Sequence, residues 1–438
     1  MERAQKPSQM TRRVFIALSG SAAAVTAVAI RSPSAPAQTP PAAAPTKGVE
    51  LKFAMVAGYK ADGTRSILPK FEQASGIKVV QDDLPYAPLH EKLALALSGK
   101  TKAYDVFFCD EGYVPQLAAY LYPLEPLIKR DKLDVPDFVP ITMQAGQWKG
   151  KQVSLPMDSN VPFLFYRKDL LQAKGLKAPD TWQEVMETAK KLTDPGKEIW
   201  GWAERGKRDV QVAAFMLILQ WSWGNEILTP DYQVAFDNDQ GLAALEYYKE
   251  LFSVSPPGSA SYAQPEVTTA AQLGKVAMFW NWASTARSYE DPKTSKVVGK
   301  MGQALVPRQK TRAPMRGIWT MAMPADIEPG KVDAAWTFIK WMTGKEGGLQ
   351  YALAGSGHPV RESMLTDPKF KASFPYADVQ LESLKIAKVR PFLPETAEIM
   401  SELEVMGSSV AARSTTPKDA LKKAVQGING VLKRAGYR

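Results

Sequence analysis

Apolar and charged residues alternate in "VELKFAMVAG", with Val49, Leu51, Phe53 and Met55 on one face and Glu50 and Lys52 on the other. That period of two predicts a strand. "RSILPKFEQASG" changes to helical spacing and stops at Gly76, and "IKVVQDDL" returns to a strand. "PLHEKLALALSGK" predicts a short helix and "YDVFFCD" a third strand, so strand and helix alternate as in an α/β layer with a mainly parallel sheet. The pattern recurs after "WKGKQVSLPMDS". "PFLFYRKDLL" runs from strand into helix, and "DTWQEVMETAKKLTD" opens with Thr181 and Glu184 at capping-box spacing. The apolar run from Val212 to Gln220 is too short to cross a bilayer and predicts a buried helix. Helices follow at "NDQGLAALEYYKELF" and "KVDAAWTFIKWMTG", and residues 375–438 read as mostly helical. No 20–50-residue period repeats, so the simplest arrangement is two α/β lobes.

One stretch is ambiguous. In "FWNWAS", Phe279 to Ser284, an extended backbone puts Trp280 and Trp282 on the same face and Asn281 on the other. Such indoles fill a core or wait for a ligand, and periodicity does not decide between the two.

Composition removes several function classes. With 45% apolar and 23% charged residues the 438-residue chain is globular. One cysteine, Cys109, excludes an intramolecular disulfide framework, and two histidines, His90 and His358, leave little for a zinc site or a Ser-His-Asp triad. "TRRVFIALSGSAAAVTAVAI" pairs Arg12 and Arg13 ahead of a weakly apolar run, the pattern of a twin-arginine export signal. Small-residue triplets at Ala27-Val28-Ala29 and Ala35-Pro36-Ala37 suit a signal peptidase, so residues 1–37 read as a cleaved signal and 38–47 as a Pro/Ala-rich linker. Without residues 1–37 the chain keeps 50 basic and 44 acidic residues, a net +6 spread without a basic stripe. A nucleic-acid partner is not expected.

Familiar catalytic motifs are missing. "SGKT" at Ser98 to Thr101 has Ala94 where a phosphate loop needs glycine, and "GSGHP" at Gly355 to Pro359 is too short for a dinucleotide fingerprint. No cofactor is expected. Instead "ILPKFEQASGIKVV", "YDVFFCDEGYVPQLAAYLYPLEPL", "WKGKQVSLPMDSNVPFLFYRKDLLQAKGLKAPDTWQEV", "GKVAMFWNWAS", "VVGKMGQALVP", "AAWTFIKWMTG" and "GHPVRES" occur in this order. Together they resemble the extracellular solute-binding proteins of carbohydrate ABC transporters, a family that includes sugar and polyol binders.

The resemblance implies a two-lobed periplasmic-binding-protein fold with ligand held in the cleft between the lobes. One lobe is expected from residues 48–158 plus 322–358, the other from 159–321 plus 359–438. Lobe crossings are expected near Asp158 to Phe163, Gly317 to Met323 and Gly357 to Arg361. The implied protein is a periplasmic monomer and not an enzyme. It takes a sugar, sugar alcohol or short oligosaccharide to the permease subunits of an ABC transporter.

A sugar offers hydroxyls at its rim and C–H patches on its faces, so carboxylates, amides and aromatic rings suit it. The candidates are Tyr59 after the first strand, Asp110 and Glu111 ending the third, and Asp158 and Asn160 on the first crossing. Trp280, Asn281 and Trp282 follow, then Gly317 and Trp319 on the second crossing and Arg361 on the third. Asp62 shares the "KADG" stretch, which also reads as a plain turn, and Asp110 also reads as a helix cap. Two alternatives stay open. Clustered acids with indoles also suit a cation such as a polyamine. Paired acids among Asp110, Glu111 and Asp158 would suit a glycosidase.

Overall fold

The computed structural model describes residues 46–355 and 357–437. The expected export signal, and the linker up to residue 45, lie outside the described residues.

Among the described residues, eleven strands form two principal sheets and a hairpin. In chain order they are β1 Glu50–Val56, β2 Lys78–Leu84, β3 Val106–Asp110, β4 Gln147–Trp148, β5 Lys151–Gln152 and β6 Leu155–Asn160. Then come β7 Pro162–Arg167, β8 Trp200–Trp202, β9 Val276–Trp282, β10 Met301–Leu305 and β11 Gly317–Ala322. The first sheet has the order β2-β1-β3-β11-β6 and the second β10-β7-β9-β8, while β4 and β5 pair as the hairpin. Both principal sheets belong to one compact unit.

Both sheets are mixed rather than mainly parallel. β1 lies parallel to β2 and β3, and β8 parallel to β9, but β11 runs antiparallel to β3 and β6, and β7 antiparallel to β9 and β10. The reason is the route of the chain. β11 enters the first sheet from the second, so it arrives from the opposite end to the strands that entered through βα units.

Sequence pattern explains the central strands. "PFLFYR" in β7 and "VAMFWNW" in β9 are nearly continuous apolar runs, as expected for strands covered on both faces. Buried side chains around the first sheet form one core, including Phe53, Phe107, Phe108 and Trp336. Two further clusters cover the faces of the second sheet, one with Trp182, Trp202, Phe215 and Trp280, the other with Phe163, Phe165 and Phe279. The apolar run at 212–220 lies inside helix Val210–Ser222 and is buried throughout. Thr181 caps helix Trp182–Leu192 in the expected capping box.

The first helix departs from its sequence reading. It spans Tyr59–Ser75, so "KADG" forms its opening turn and is not a loop. Gly76 ends it at φ 71°, a left-handed conformation that costs glycine little.

The chain changes sheets at Val161, the single residue between β6 and β7. A pair of hydrogen bonds fixes this passage: Asn160 Nδ2 donates to Ser284 Oγ (3.1 Å), and Ser284 N–H donates to Asn160 Oδ1 (3.2 Å).

Candidate functional site

A cleft of about 450 Å³ opens where the carboxyl ends of β1, β3, β6 and β9 meet the start of β11. Strand ends of this kind are where open α/β sheets expose backbone and side chains to ligands, and the volume lies in the range of small-molecule sites.

Six candidates reach its wall: Tyr59, Asp110, Asn160, Trp282, Gly317 and Trp319. Tyr59 stands at the mouth, 44% exposed. Trp319 is stacked on Phe108, with ring centroids 4.8 Å apart, so its position is fixed from behind. Trp282 donates its indole N–H to Gln211 Oε1, which holds the ring against rotation. A Cβ at Gly317 would lie 2.8 Å from Trp282 Cζ3, so this glycine admits the indole, not a ligand, close to the backbone.

Five candidates lie away from the wall. Trp280 is the last fully interior residue on its face of β9, stacked on Phe215 and under the Arg205 guanidinium at 4.2 Å. Trp282 shares that face but stands at the strand's end, beside the first turn of helix Val210–Ser222. Asn281 points the other way and donates to the Tyr289 hydroxyl (3.0 Å). Glu111 and Asp158 are fully buried behind the wall. Arg361 is tied to its own surroundings: it donates to the carbonyls of Thr343 (2.7 Å) and Asp134 (2.8 Å) and lies over the Phe138 ring. Asp62 faces solvent beside Arg65.

The buried carboxylates are compensated. Lys60 meets Asp158 at 2.5 Å, Arg316 meets Glu111 at 2.5 Å, and Arg390 meets Asp110. Burial opposes the Lys60 charge, yet Asp158 and Tyr59 together outweigh it and hold the ammonium above the ordinary lysine range. Burial pushes the Glu111 carboxyl upward although Arg316 and Arg390 lie beside it. His358 lies 3.9 Å from Asp158, but burial depresses it to about 4, so it is neutral at pH 7. Asp110 also caps the short turn that follows β3, accepting from Gly112 N–H at 2.8 Å, and takes the Tyr86 hydroxyl on its other oxygen at 3.2 Å. The cap and the wall position coexist in one side chain.

Several wall residues escaped the sequence reading. Lys60 was hidden in the apparent turn, and Ser284 and Thr285 directly follow the tryptophan stretch. Gln211 and Gln264 sit in the first turns of helices Val210–Ser222 and Gln264–Gln272, and Arg390 in the connector 387–395. Those three carry no local pattern that separates them from surface residues.

The sequence profile for bacterial extracellular solute-binding proteins matches residues 57–349. A solute-binding protein of an ABC transporter from Agrobacterium radiobacter K84, solved in complex with ribitol, is 33% identical, with a TM-score of 0.80 over 87% of this chain and 98% of its own. The mannitol-binding protein of Pseudomonas aeruginosa is 29% identical over 73% of this chain and 77% of its own. A probable amino-acid ABC transporter periplasmic-binding protein of Sinorhizobium fredii is 26% identical over 89% of this chain and 91% of its own. With a two-lobed fold, a cleft between the two sheets and a family profile spanning more than half its length, the chain belongs to the bacterial extracellular solute-binding protein family.

Proposed function

We propose that this protein captures a neutral carbohydrate, a sugar or sugar alcohol, and delivers it to an ABC transporter for import. The observation that carries the choice of ligand is the charge balance of the cleft. The two cations that line the wall, Lys60 and Arg390, and Arg316 behind it each meet a carboxylate, through the pairs Lys60–Asp158, Arg390–Asp110 and Arg316–Glu111. A charged ligand would enter without a free counter-ion, whereas hydroxyls find the polar ends of Asp110, Asn160, Gln211 and Gln264, and C–H faces find Trp282 and Trp319. The ribitol and mannitol binders among its relatives support the same reading.

The alternatives fit less well. A polyamine or an amino acid needs an uncompensated charge. A glycosidase needs two carboxylates facing one bond, and among the described residues lining the cleft Asp110 is the one carboxylate. The binding residues we propose are Tyr59, Asp110, Asn160, Trp282 and Trp319. The lobes would divide where the strands change sheets, at Val161 on the way out and between Leu305 and Gly317 on the return. Export through the twin-arginine signal to the periplasm, a monomeric state and permease contact through the outer lobe surfaces complete the proposal.

A thermal-shift panel of alditols, monosaccharides, maltose, amino acids and polyamines tests it, since a ligand selective for the folded state raises Tm with occupancy. Stabilisation by a neutral sugar or alditol is expected. Stabilisation by spermidine or an amino acid, with no carbohydrate active, would overturn it.

A further inference from the structure

We infer that Arg390 sets the charge selectivity of the cleft: by occupying one oxygen of Asp110 it keeps the site closed to cations and open to hydroxyls. The inference rests on the carbohydrate reading above and assigns a specificity role to a residue outside the 57–349 segment matched by the family profile.

Three charged side chains reach the wall: Lys60, Asp110 and Arg390. Lys60 is committed to Asp158 behind it. Glu111 is committed to Arg316 at 2.5 Å, and Arg390 Nη2 reaches it only at 3.7 Å. Asp110 is therefore the carboxylate whose charge the cleft would feel, and Arg390 is what cancels it. Oδ1 is filled by Arg390 and the Gly112 N–H, while Oδ2 holds the Tyr86 hydroxyl at 3.2 Å and keeps lone-pair capacity for a second donor. Without the guanidinium, one uncompensated carboxylate would stand beside Tyr86, Trp319 and Trp282. That combination attracts ammonium groups through charge and ring faces alike.

The chain holds Arg390 in place at two points. Lys388 N–H donates to the Pro314 carbonyl (2.8 Å) and its carbonyl accepts from Arg316 N–H (3.0 Å), so the connector is fastened to the segment leading into β11. A Cβ on Gly112 would lie 2.9 Å from Arg390 Cζ, so the absence of a side chain there lets the guanidinium reach the cap. Both features serve the approach of Arg390 to Asp110.

Calorimetric titrations of wild type, Arg390→Gln, Arg390→Lys and the double variant Asp110→Asn/Arg390→Gln against ribitol, glucosamine and spermidine test this. Arg390→Gln should gain at least tenfold in affinity for glucosamine and spermidine, and the gain should shrink between 50 and 300 mM NaCl. Arg390→Lys should keep wild-type selectivity. The double variant, balanced again, should lose the gain. A folded Arg390→Gln with no gain for either cation would overturn the inference, as would an equal gain in the double variant. Asp110→Asn alone is the reciprocal test and stands even where Arg390→Gln does not fold. It leaves Arg390 unmatched and should gain at least tenfold for gluconate, and no gain counts against the idea. If wild type binds no carbohydrate, the sugar reading fails by itself, while the cation and gluconate gains still decide the role of Arg390.

Discussion

The two walls of the cleft are built from different chemistry. The wall on the first sheet is ionic and braced, with Lys60 tied to Asp158, Asp110 tied to Arg390 of the connector 387–395, and Trp319 stacked on Phe108. The wall on the second sheet is neutral, presenting Gln211, Gln264, Ser284, Thr285 and the edge of Trp282. Buried ion pairs hold side chains in fixed directions at a cost in desolvation. Amides and hydroxyls donate and accept in either sense and adapt to a guest. The difference suggests a division of labour: the first wall orients the ligand, and the second closes around whatever hydroxyl pattern is offered.

The contrast can be broken most sharply at Lys60. Lys60→Met strands Asp158 in the interior and should cost about 3–5 kcal/mol of stability. Denaturant titration measures it, and a loss below about 1 kcal/mol would mean that the pair braces nothing.

Acid should weaken the first wall next. Burial lowers His90, behind Trp319, and His358, beside Asp158, to about 4. Unfolded histidine binds its proton near 6.5, so between pH 6.5 and 4 the unfolded chain holds more protons than the folded one. Their contribution is therefore complete above pH 6.5 and is lost as pH falls toward 4, by up to about 3 kcal/mol each. Glu204, behind the second wall, has the opposite sign. Burial lifts its carboxyl to about 7, so acidification from 7 toward 4.5 relieves that side. Melting curves of His90→Gln and His358→Gln across this range should be flatter than wild type, and identical slopes would contradict the assignment.

Smaller effects separate the paired tryptophans. Trp282→Ala should weaken carbohydrate binding by about 2 kcal/mol, some thirtyfold, and should also lower Tm, because the ring is only 8% exposed. Trp280→Ala should reduce stability without a comparable loss of affinity. Equal effects on both measurements would erase the distinction between them. Gln211→Ala, which frees the Trp282 indole, should cost about 1 kcal/mol in affinity. Unchanged titration curves would show that the indole needs no anchor.

Much of this arrangement was legible in the chain. The period of two located β1, short apolar runs located β2 and β3, and the end of β3 brought Asp110 to the cleft. The same pattern placed Trp280 and Trp282 on one face correctly. It did not show that β9 ends at Trp282, which is what makes one indole core and the other wall. Glu111 follows Asp110 directly, yet the turn after β3 sends it inward to Arg316. Arg390 was invisible for a different reason. Its partner lies 280 positions away in the chain, and only the folded topology brings them together.

Gly317 carries a consequence for anyone altering this protein's ligand preference. The hydrogen at its α-carbon leaves the space into which the Trp282 ring settles. Even a methyl there would displace the indole, so a side chain at 317 calls for a smaller residue at 282. Libraries that randomise the tryptophan alone sample rings of its size or smaller, while those that randomise the glycine alone dislodge the ring.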